Sequence, residues 1–145
     1  MKKERFLIVM TIVISLSFLS YRKEVATLCN PIIINKETFE KAKSAEFGIM
    51  SASMYNYCLK VKVLHQTACG KYKFNLVWDG LFSNTNPVGA NIKINLTAPE
   101  ACAETKYETL LFDLSQMQWK RPNTDTVIII ALKGYDKPIR FKINQ

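Results

Sequence analysis

The feature that most constrains the fold is a regular alternation of apolar and polar side chains in three separate segments. In residues 58–64, 71–78 and 90–97, apolar residues recur at every second position, and lysine, asparagine or threonine stands at most of the positions between them. Successive side chains of a β-strand point to opposite faces of a sheet, so this period predicts strands with one buried face. Strands of this kind are typical of antiparallel sheets.

Three further segments extend the same pattern. Residues 107–115 and 139–143 also alternate, and residues 126–132 form a continuous apolar run that is typical of a strand buried on both faces. A short helix is predicted over residues 35–47, with Gly48 ending it. Six or seven strands with few helices predict an all-β fold. We expect an antiparallel β-sandwich of the immunoglobulin or transthyretin type, in which two sheets share one core.

The amino terminus has the pattern of an export segment. A basic start, Met1-Lys2-Lys3-Glu4-Arg5, precedes an uncharged apolar run over residues 6–20. This run fits the core of a signal peptide better than a membrane-spanning helix, which needs about 20 apolar residues. We therefore predict a signal peptide or N-terminal anchor over 1–20, a linker with a short helix over 21–48, and a β-sandwich domain over 49–145. The expected location is the periplasm, the cell envelope or the outside, with membrane contact through the N-terminal segment.

The cysteine count agrees with export. All four cysteines, Cys29, Cys58, Cys69 and Cys102, lie outside the apolar run, and an even number in a small exported domain predicts two disulfides. Cys69 and Cys102 both flank predicted strands, which favours that pair and leaves Cys29 for Cys58. Free buried thiols are one alternative, and a lipid on Cys29 is another, because residues 26–29 weakly match a lipobox.

The strands and cysteines together resemble a known family. The motifs that carry the resemblance, in chain order, are Asn56-Tyr57-Cys58-Leu59, Cys69-Gly70-Lys71-Tyr72-Lys73-Phe74-Asn75-Leu76-Val77-Trp78, Asp79-Gly80-Leu81-Phe82 followed by Pro87, Cys102, and Phe112-Asp113-Leu114-Ser115. Over residues 47–143 the chain resembles small exported β-sandwich proteins, often lipoproteins, of Bacteroidetes-type bacteria. The resemblance implies the fold and an exported location, and it implies no particular activity.

This chain departs from the family pattern at its histidines. The family has Cys-x-x-His-x-Phe-x-Leu-x-Trp where this chain has Tyr72 at the histidine position, and a second histidine often precedes the later cysteine, where residues 95–98 hold none. A metal or catalytic role built on those histidines is therefore not carried over.

The sequence has no recognised catalytic or metal-binding motif, and its carboxylates at turns and strand ends, whose spacing alone does not exclude a catalytic pair, are expected to be solvated. The single histidine, His65, lies four residues before Cys69, but zinc needs three or four protein ligands, and a polar loop position is expected for it. The sequence contains no Gly-x-Ser-x-Gly, no phosphate-binding loop and no dinucleotide-binding glycine motif. We predict no catalytic residue, no metal and no cofactor, and hence a protein that is not an enzyme.

Charge is the one composition feature with a binding interpretation. The formal net charge is +8, and Lys60, Lys62, Lys71 and Lys73 fall on the polar faces of two consecutive strands. If these strands pair as a hairpin around residues 65–70, the four lysines form one basic face. The expected partner is an anionic envelope component, a glycan or a protein. Nucleic acid is not expected, because the aromatic residues alternate inward. Alternatively, the lysines only keep exposed strands soluble.

Two functional hypotheses follow from the sequence. The first is an exported, non-catalytic cell-envelope protein: a disulfide-stapled β-sandwich that binds an anionic surface or a glycan. The second is an exported inhibitor or small enzyme that acts through its loops, residues 80–89 or 114–125. The latter loop places Trp119 and Arg121 close together, and an aromatic residue beside an arginine is typical of a recognition hot spot.

Overall fold

The structure is a computed structural model that describes residues 29–66, 71–98, 104–117 and 126–143. The described part contains nine strands and one short helix, arranged in two sheets. In chain order the elements are β1 (Asn30–Pro31), β2 (Ile33–Ile34), α1 (Lys36–Lys41), β3 (Phe47–Tyr55), β4 (Cys58–Gln66), β5 (Lys73–Phe82), β6 (Val88–Thr97), β7 (Thr105–Asp113), β8 (Thr126–Leu132) and β9 (Ile139–Ile143). Within these residues, no helix is long and apolar enough to cross a membrane.

The two sheets have different strand orders. The four-stranded sheet has the order β1-β7-β4-β3, and the five-stranded sheet has the order β2-β5-β6-β8-β9. The pairs β3–β4, β4–β7, β5–β6 and β8–β9 are antiparallel. The pairs β1–β7, β2–β5 and β6–β8 are parallel. The all-β sandwich is confirmed, but its sheets are mixed and not purely antiparallel.

The parallel pair β6–β8 follows from the path of the chain. After β6 the chain crosses to the other sheet, forms β7 there, and returns to place β8 beside β6. A strand that returns after a crossover can run in the same direction as the strand it left, whereas a short hairpin forces the antiparallel direction. Local periodicity reports which residues are buried, and it carries no information on this crossover.

Alternate side chains of both sheets meet in one apolar core. Most fully buried positions fall on the alternation predicted for β4, β5 and β6, for example Leu59, Leu76 and Ile92, whereas Val77 is buried on the opposite face of β5. The largest side chains with almost no exposure are Phe112, Phe141, Leu59, Leu76, Ile92, Leu114, Met117, Ile128, Ile130 and Leu132. Burial of such side chains contributes roughly 1.5–3 kcal/mol each.

Helix α1 is shorter than the sequence predicts. Asn35 caps its first turn by accepting a hydrogen bond from the Thr38 N–H at 2.7 Å, and the helix ends at Lys41. Residues beyond it form an extended connection, which is attached to β6 by a hydrogen bond from the Ala45 N–H to the Leu96 carbonyl at 2.9 Å. Phe47, the predicted end of the helix, is the first residue of β3.

Three other details differ from the sequence prediction. Strand β3 was not expected, because the register shift between Ile49 and Ser51 breaks its alternation. Strand β8 is buried on one face only, since Val127 is exposed. Strand β5 continues to Phe82 through Gly80, whose φ of 81° suits glycine, at an irregularity in the pairing with β6.

Candidate functional site

The outer face of the four-stranded sheet carries exposed aromatic side chains. Tyr55 on β3 is 74% exposed and Tyr107 on β7 is 61% exposed. Lys60 and Lys62 on β4 lie between them on the same face, since the inward residues of β4 are the alternating buried ones. We call these four residues the tyrosine–lysine face.

The tyrosine–lysine face is cationic and partly ordered by its own contacts. The Nζ atom of Lys62 lies 5.4 Å from the centre of the Tyr107 ring, within the range of a cation–π interaction. The residues paired beside Lys60 and Lys62 are serine, threonine or leucine. Among the described residues, no carboxylate forms an ion pair with either lysine.

The predicted basic face of four lysines does not form. Strand β4 pairs with β3 and β7, whereas β5 pairs with β2 and β6, so the two strands belong to different sheets. The expected hairpin around residues 65–70 is therefore wrong. Lys60 and Lys62 lie on the four-stranded sheet, whereas Lys73 lies on the five-stranded sheet and Lys71 leads into it.

A polar cluster joins the two sheets at one end of the sandwich. The Tyr72 hydroxyl donates to Glu108 Oε2 at 3.0 Å and accepts from Lys106 Nζ at 2.8 Å. His65 lies beside them, with its Nε2 atom 3.4 Å from Glu108 Oε2 and its Nδ1 atom 3.3 Å from the Gln66 carbonyl. The hydrogen bond to Tyr72 raises the pKa of Lys106 above its ordinary value, and the charge interaction with Tyr72 adds to this.

His65 is a buried strand residue and not the polar loop residue that the sequence predicts. Only 3% of its surface is exposed, and its ring packs against Tyr72 and Phe74 at centroid distances of 5.0 and 5.1 Å. Its Nε2 atom has no partner in hydrogen-bonding geometry within the described residues. Sequence reasoning missed its burial, although His65 continues the inward alternation of Leu59, Val61 and Val63.

A cleft of about 840 Å³ lies beside this cluster and is lined from both sheets. Its walls include His65 of β4, Lys93 and Asn95 of β6, and Lys133 and Gly134 after β8. The remaining lining residues are Ala42, Ser44, Ala45, Glu46, Phe47, Gly48, Ile49, Leu64, Gln66, Ile94 and Thr105.

Lys93 is the most unusual residue of the cleft, because it is a charged residue that is only 8% exposed. Its Nζ atom donates to the Ala42 carbonyl at 3.4 Å and lies 5.5 Å from the centre of the Phe39 ring. Burial lowers the pKa of Lys93 below its ordinary value, and the nearby charge of Lys133 lowers it further. The sequence gives no signal for this burial, since Lys93 has the position of an outward strand residue.

One of the two expected disulfides is present in the described residues. Cys29 is bonded to Cys58 with a Cα–Cα distance of 6.1 Å, which ties the start of β1 to the start of β4. A lipid on Cys29 is therefore excluded while this bond exists. Cys69 and Cys102, the other expected pair, lie outside the described residues, and so do Trp119 and Arg121 of the predicted binding loop.

No group of three or more potential metal ligands occurs in the described part of the chain.

Comparisons with known proteins support the fold of this chain and do not assign it to a family. No family model matches the sequence, and no curated protein matches it. A crystal structure of a NigD-like immunity protein from Bacteroides caccae is similar, with a TM-score of 0.60 and 18% identity over 78% of this chain. This chain spans 58% of the length of that protein. A toxin-related protein from Parabacteroides distasonis has a TM-score of 0.48 and 12% identity, over 81% of this chain and 61% of its own.

The Bacteroides protein and this chain share the β-sandwich fold. At 18% identity the likeness concerns the fold and not the residues of a site. The sites of this chain therefore have to be argued from its own side chains.

Proposed function

We propose that this chain is an exported, non-catalytic protein that acts by binding another protein through the tyrosine–lysine face, in the manner of an immunity protein. The single observation that carries the proposal is the pair of strongly exposed tyrosines, Tyr55 and Tyr107, flanking Lys60 and Lys62. Tyrosine is enriched in protein interfaces because its ring buries a large area while its hydroxyl group remains able to form hydrogen bonds.

The geometry favours a protein over an extended anionic surface. A membrane or an acidic polysaccharide attracts contiguous basic charge. Here the four predicted lysines are divided between two sheets, so the tyrosine–lysine face has only two of them, next to exposed rings. The partner that fits this face has a carboxylate opposite Lys60 or Lys62 and an apolar surface opposite the tyrosines.

Two further observations support the proposal. The Bacteroides caccae protein with this fold is an immunity protein, which is a class that acts by binding rather than by catalysis. The Cys29–Cys58 disulfide suits an oxidising compartment, as expected of an exported protein. Under this proposal, the inhibitor hypothesis and the binding-module hypothesis describe the same action, since a bound sandwich face blocks the surface it covers.

Site-specific photo-crosslinking tests the proposal in cells that express the full chain. A photoreactive benzoylphenylalanine replaces Tyr55 or Tyr107 in two variants, and it replaces Val127, an exposed residue of the five-stranded sheet, in the control variant. We expect a cross-linked protein of one defined mass from positions 55 and 107 and none from position 127. Equal adducts from all three positions, or no protein adduct from positions 55 and 107, would contradict the proposal.

A further inference from the structure

The buried polar residues of this protein are concentrated in one place. Among the described residues, only His65, Lys93 and Asn95 are both polar and buried, with exposed fractions of 3%, 8% and 5%. All three line the same cleft. Lys93 and Asn95 lie on the outer face of β6, opposite the core residues Ile92, Ile94 and Leu96, and buried polar side chains need a partner to offset the loss of water. Three of them around one cavity are typical of a binding site.

The polar side chains of the cleft are mainly hydrogen-bond donors. Lys93 and Lys133 each carry an ammonium group with three N–H bonds, and Asn95 carries an amide group with two. The side-chain hydrogen bond that Lys93 forms within the described residues is long, at 3.4 Å, and its acceptor is an uncharged carbonyl. Within the described residues, neither lysine forms an ion pair, including with Glu46 on the cleft wall. The cleft therefore has two lysines and one glutamate on its walls, a net positive charge, and within the described residues neither lysine is paired directly with the glutamate.

We propose that this cleft binds the carboxylate group of a ligand, with Lys93 and Lys133 as the charge partners and Asn95 as a hydrogen-bond donor. A bound carboxylate gives the ammonium group of Lys93 a counter-ion, and it offsets the repulsion between the charges of Lys93 and Lys133. Charge-assisted hydrogen bonds of this kind are stronger than those between neutral groups. The cavity volume of about 840 Å³ is large enough for an amino-acid side chain with its flanking peptide groups, or for a small organic acid.

A matched pair of probes tests the charge requirement. The full chain, labelled with ¹⁵N, is titrated with N-acetyl-glutamate N-methylamide and, separately, with the glutamine analogue, which has the same shape without the carboxylate. We expect saturable shifts of the Asn95 and Gly134 amide signals with the glutamate probe only. Equal shifts with both probes, or no shift at either amide, would overturn the proposal.

Two variants show whether the charge of a cleft lysine is responsible for binding the glutamate probe. Lys133→Met removes an exposed ammonium group at the cleft, so folding is retained, and we expect it to weaken binding of the glutamate probe about fivefold or more. Lys137→Met removes a nearby exposed lysine that does not line the cleft, and it is expected to leave binding unchanged. Equal binding by the wild type and Lys133→Met would contradict the role of this charge. Lys93→Met is examined in the same titration, and its folding is checked by circular dichroism.

A third probe, glutarate, distinguishes the two sources of a carboxylate. Tighter binding of glutarate identifies a free organic acid as the ligand class, and tighter binding of the capped glutamate identifies an acidic side chain of a protein. Tyr107→Ser separates this proposal from the proposed function, because it alters the tyrosine–lysine face and is expected to leave the titration unchanged. Loss of probe binding in Tyr107→Ser would contradict a separate site in the cleft.

Discussion

Tyr72 joins the two sheets through a single hydroxyl group. It leads into β5 of the five-stranded sheet, and its partners Lys106 and Glu108 lie on β7 of the four-stranded sheet. In the register of β4 and β7, Lys106 is opposite His65 and Glu108 is opposite Val63. Because His65 and Val63 face inward, Lys106 and Glu108 also lie on the inward face of β7, which is near the edge of its sheet. Charged residues at such positions discourage pairing with other proteins. The hydroxyl group of Tyr72 gives both of them a partner.

Removal of this hydroxyl group is the first test at the scale of single residues. We expect Tyr72→Phe to lower the free energy of unfolding by about 1 kcal/mol, because the partly buried Glu108 loses its hydrogen bond from the Tyr72 hydroxyl group. The matched control is Tyr107→Phe, whose ring is on the outer face and whose change is expected to stay within about 0.5 kcal/mol. Urea denaturation followed by tryptophan fluorescence measures both. A smaller effect for Tyr72→Phe than for Tyr107→Phe would contradict the bridging role.

The buried charge of Lys93 predicts a pH dependence of stability. Burial, and to a lesser extent Lys133, lower the pKa of Lys93 below 10.5 in the folded protein. Between that lowered pKa and 10.5, the unfolded chain binds more protons at this residue than the folded chain does, so stability rises with pH in this window. We expect the free energy of unfolding of the wild type, relative to Lys93→Met, to increase from neutral pH to pH 10.5. A relative stability that is constant or falls over this range would show that the ammonium group is well solvated.

At the scale of elements, the disulfide holds the N-terminal strands in place. Strand β1 has only two residues and pairs with β7 at Phe112 and Asp113, so its own hydrogen bonds are few. The Cys29–Cys58 bond closes a loop with a sequence separation of 29 residues that contains β1, β2, α1 and β3. The disulfide therefore restricts the unfolded chain over all four of these elements.

Replacement of both cysteines tests this contribution. In the chain-entropy model, a loop of this length is worth roughly 3–4 kcal/mol, and we expect Cys29→Ser with Cys58→Ser to lose about that much. The measurement is urea denaturation of this double variant and of the wild type. Both are measured under non-reducing conditions, so that the other cysteines keep their oxidation state. A loss below about 1 kcal/mol would indicate that contacts other than the disulfide fix this segment.

The sequence predicted individual strands well and their arrangement poorly. Alternation located β4, β5 and β6 within a few residues, because burial of one face is a local property of a strand. The irregular pairing of β3 removed the same signal there. Which sheet a strand joins depends on the crossover after β6 and on contacts between distant residues, which periodicity does not report. The predicted basic face failed for this reason: all four lysines are exposed, but Lys60 and Lys62 lie on a strand of one sheet, whereas Lys71 and Lys73 lie before and at the start of a strand of the other.

At the scale of the whole molecule, the division of the lysines provides a test of how the protein recognises its partner. Lys60 and Lys62 lie on the tyrosine–lysine face, whereas Lys71 and Lys73 belong to the five-stranded side. Reversing either pair to glutamate changes the net charge by the same amount. Attraction by overall charge would respond equally to both changes, whereas a specific interface responds only to the pair it contains.

We therefore expect the two double variants to differ in affinity for the protein captured by cross-linking at position 107. Lys60→Glu with Lys62→Glu should weaken binding about tenfold or more, since it places negative charge against the partner's carboxylates and removes the cation–π contact of Lys62 with Tyr107. Lys71→Glu with Lys73→Glu should change it less than about twofold, because those residues lie outside the interface. Equal weakening by both pairs at low salt, with both effects vanishing at high salt, would mean that the partner is attracted by net charge alone. A selective loss with the first pair that persists at physiological salt would place the interface on the tyrosine–lysine face.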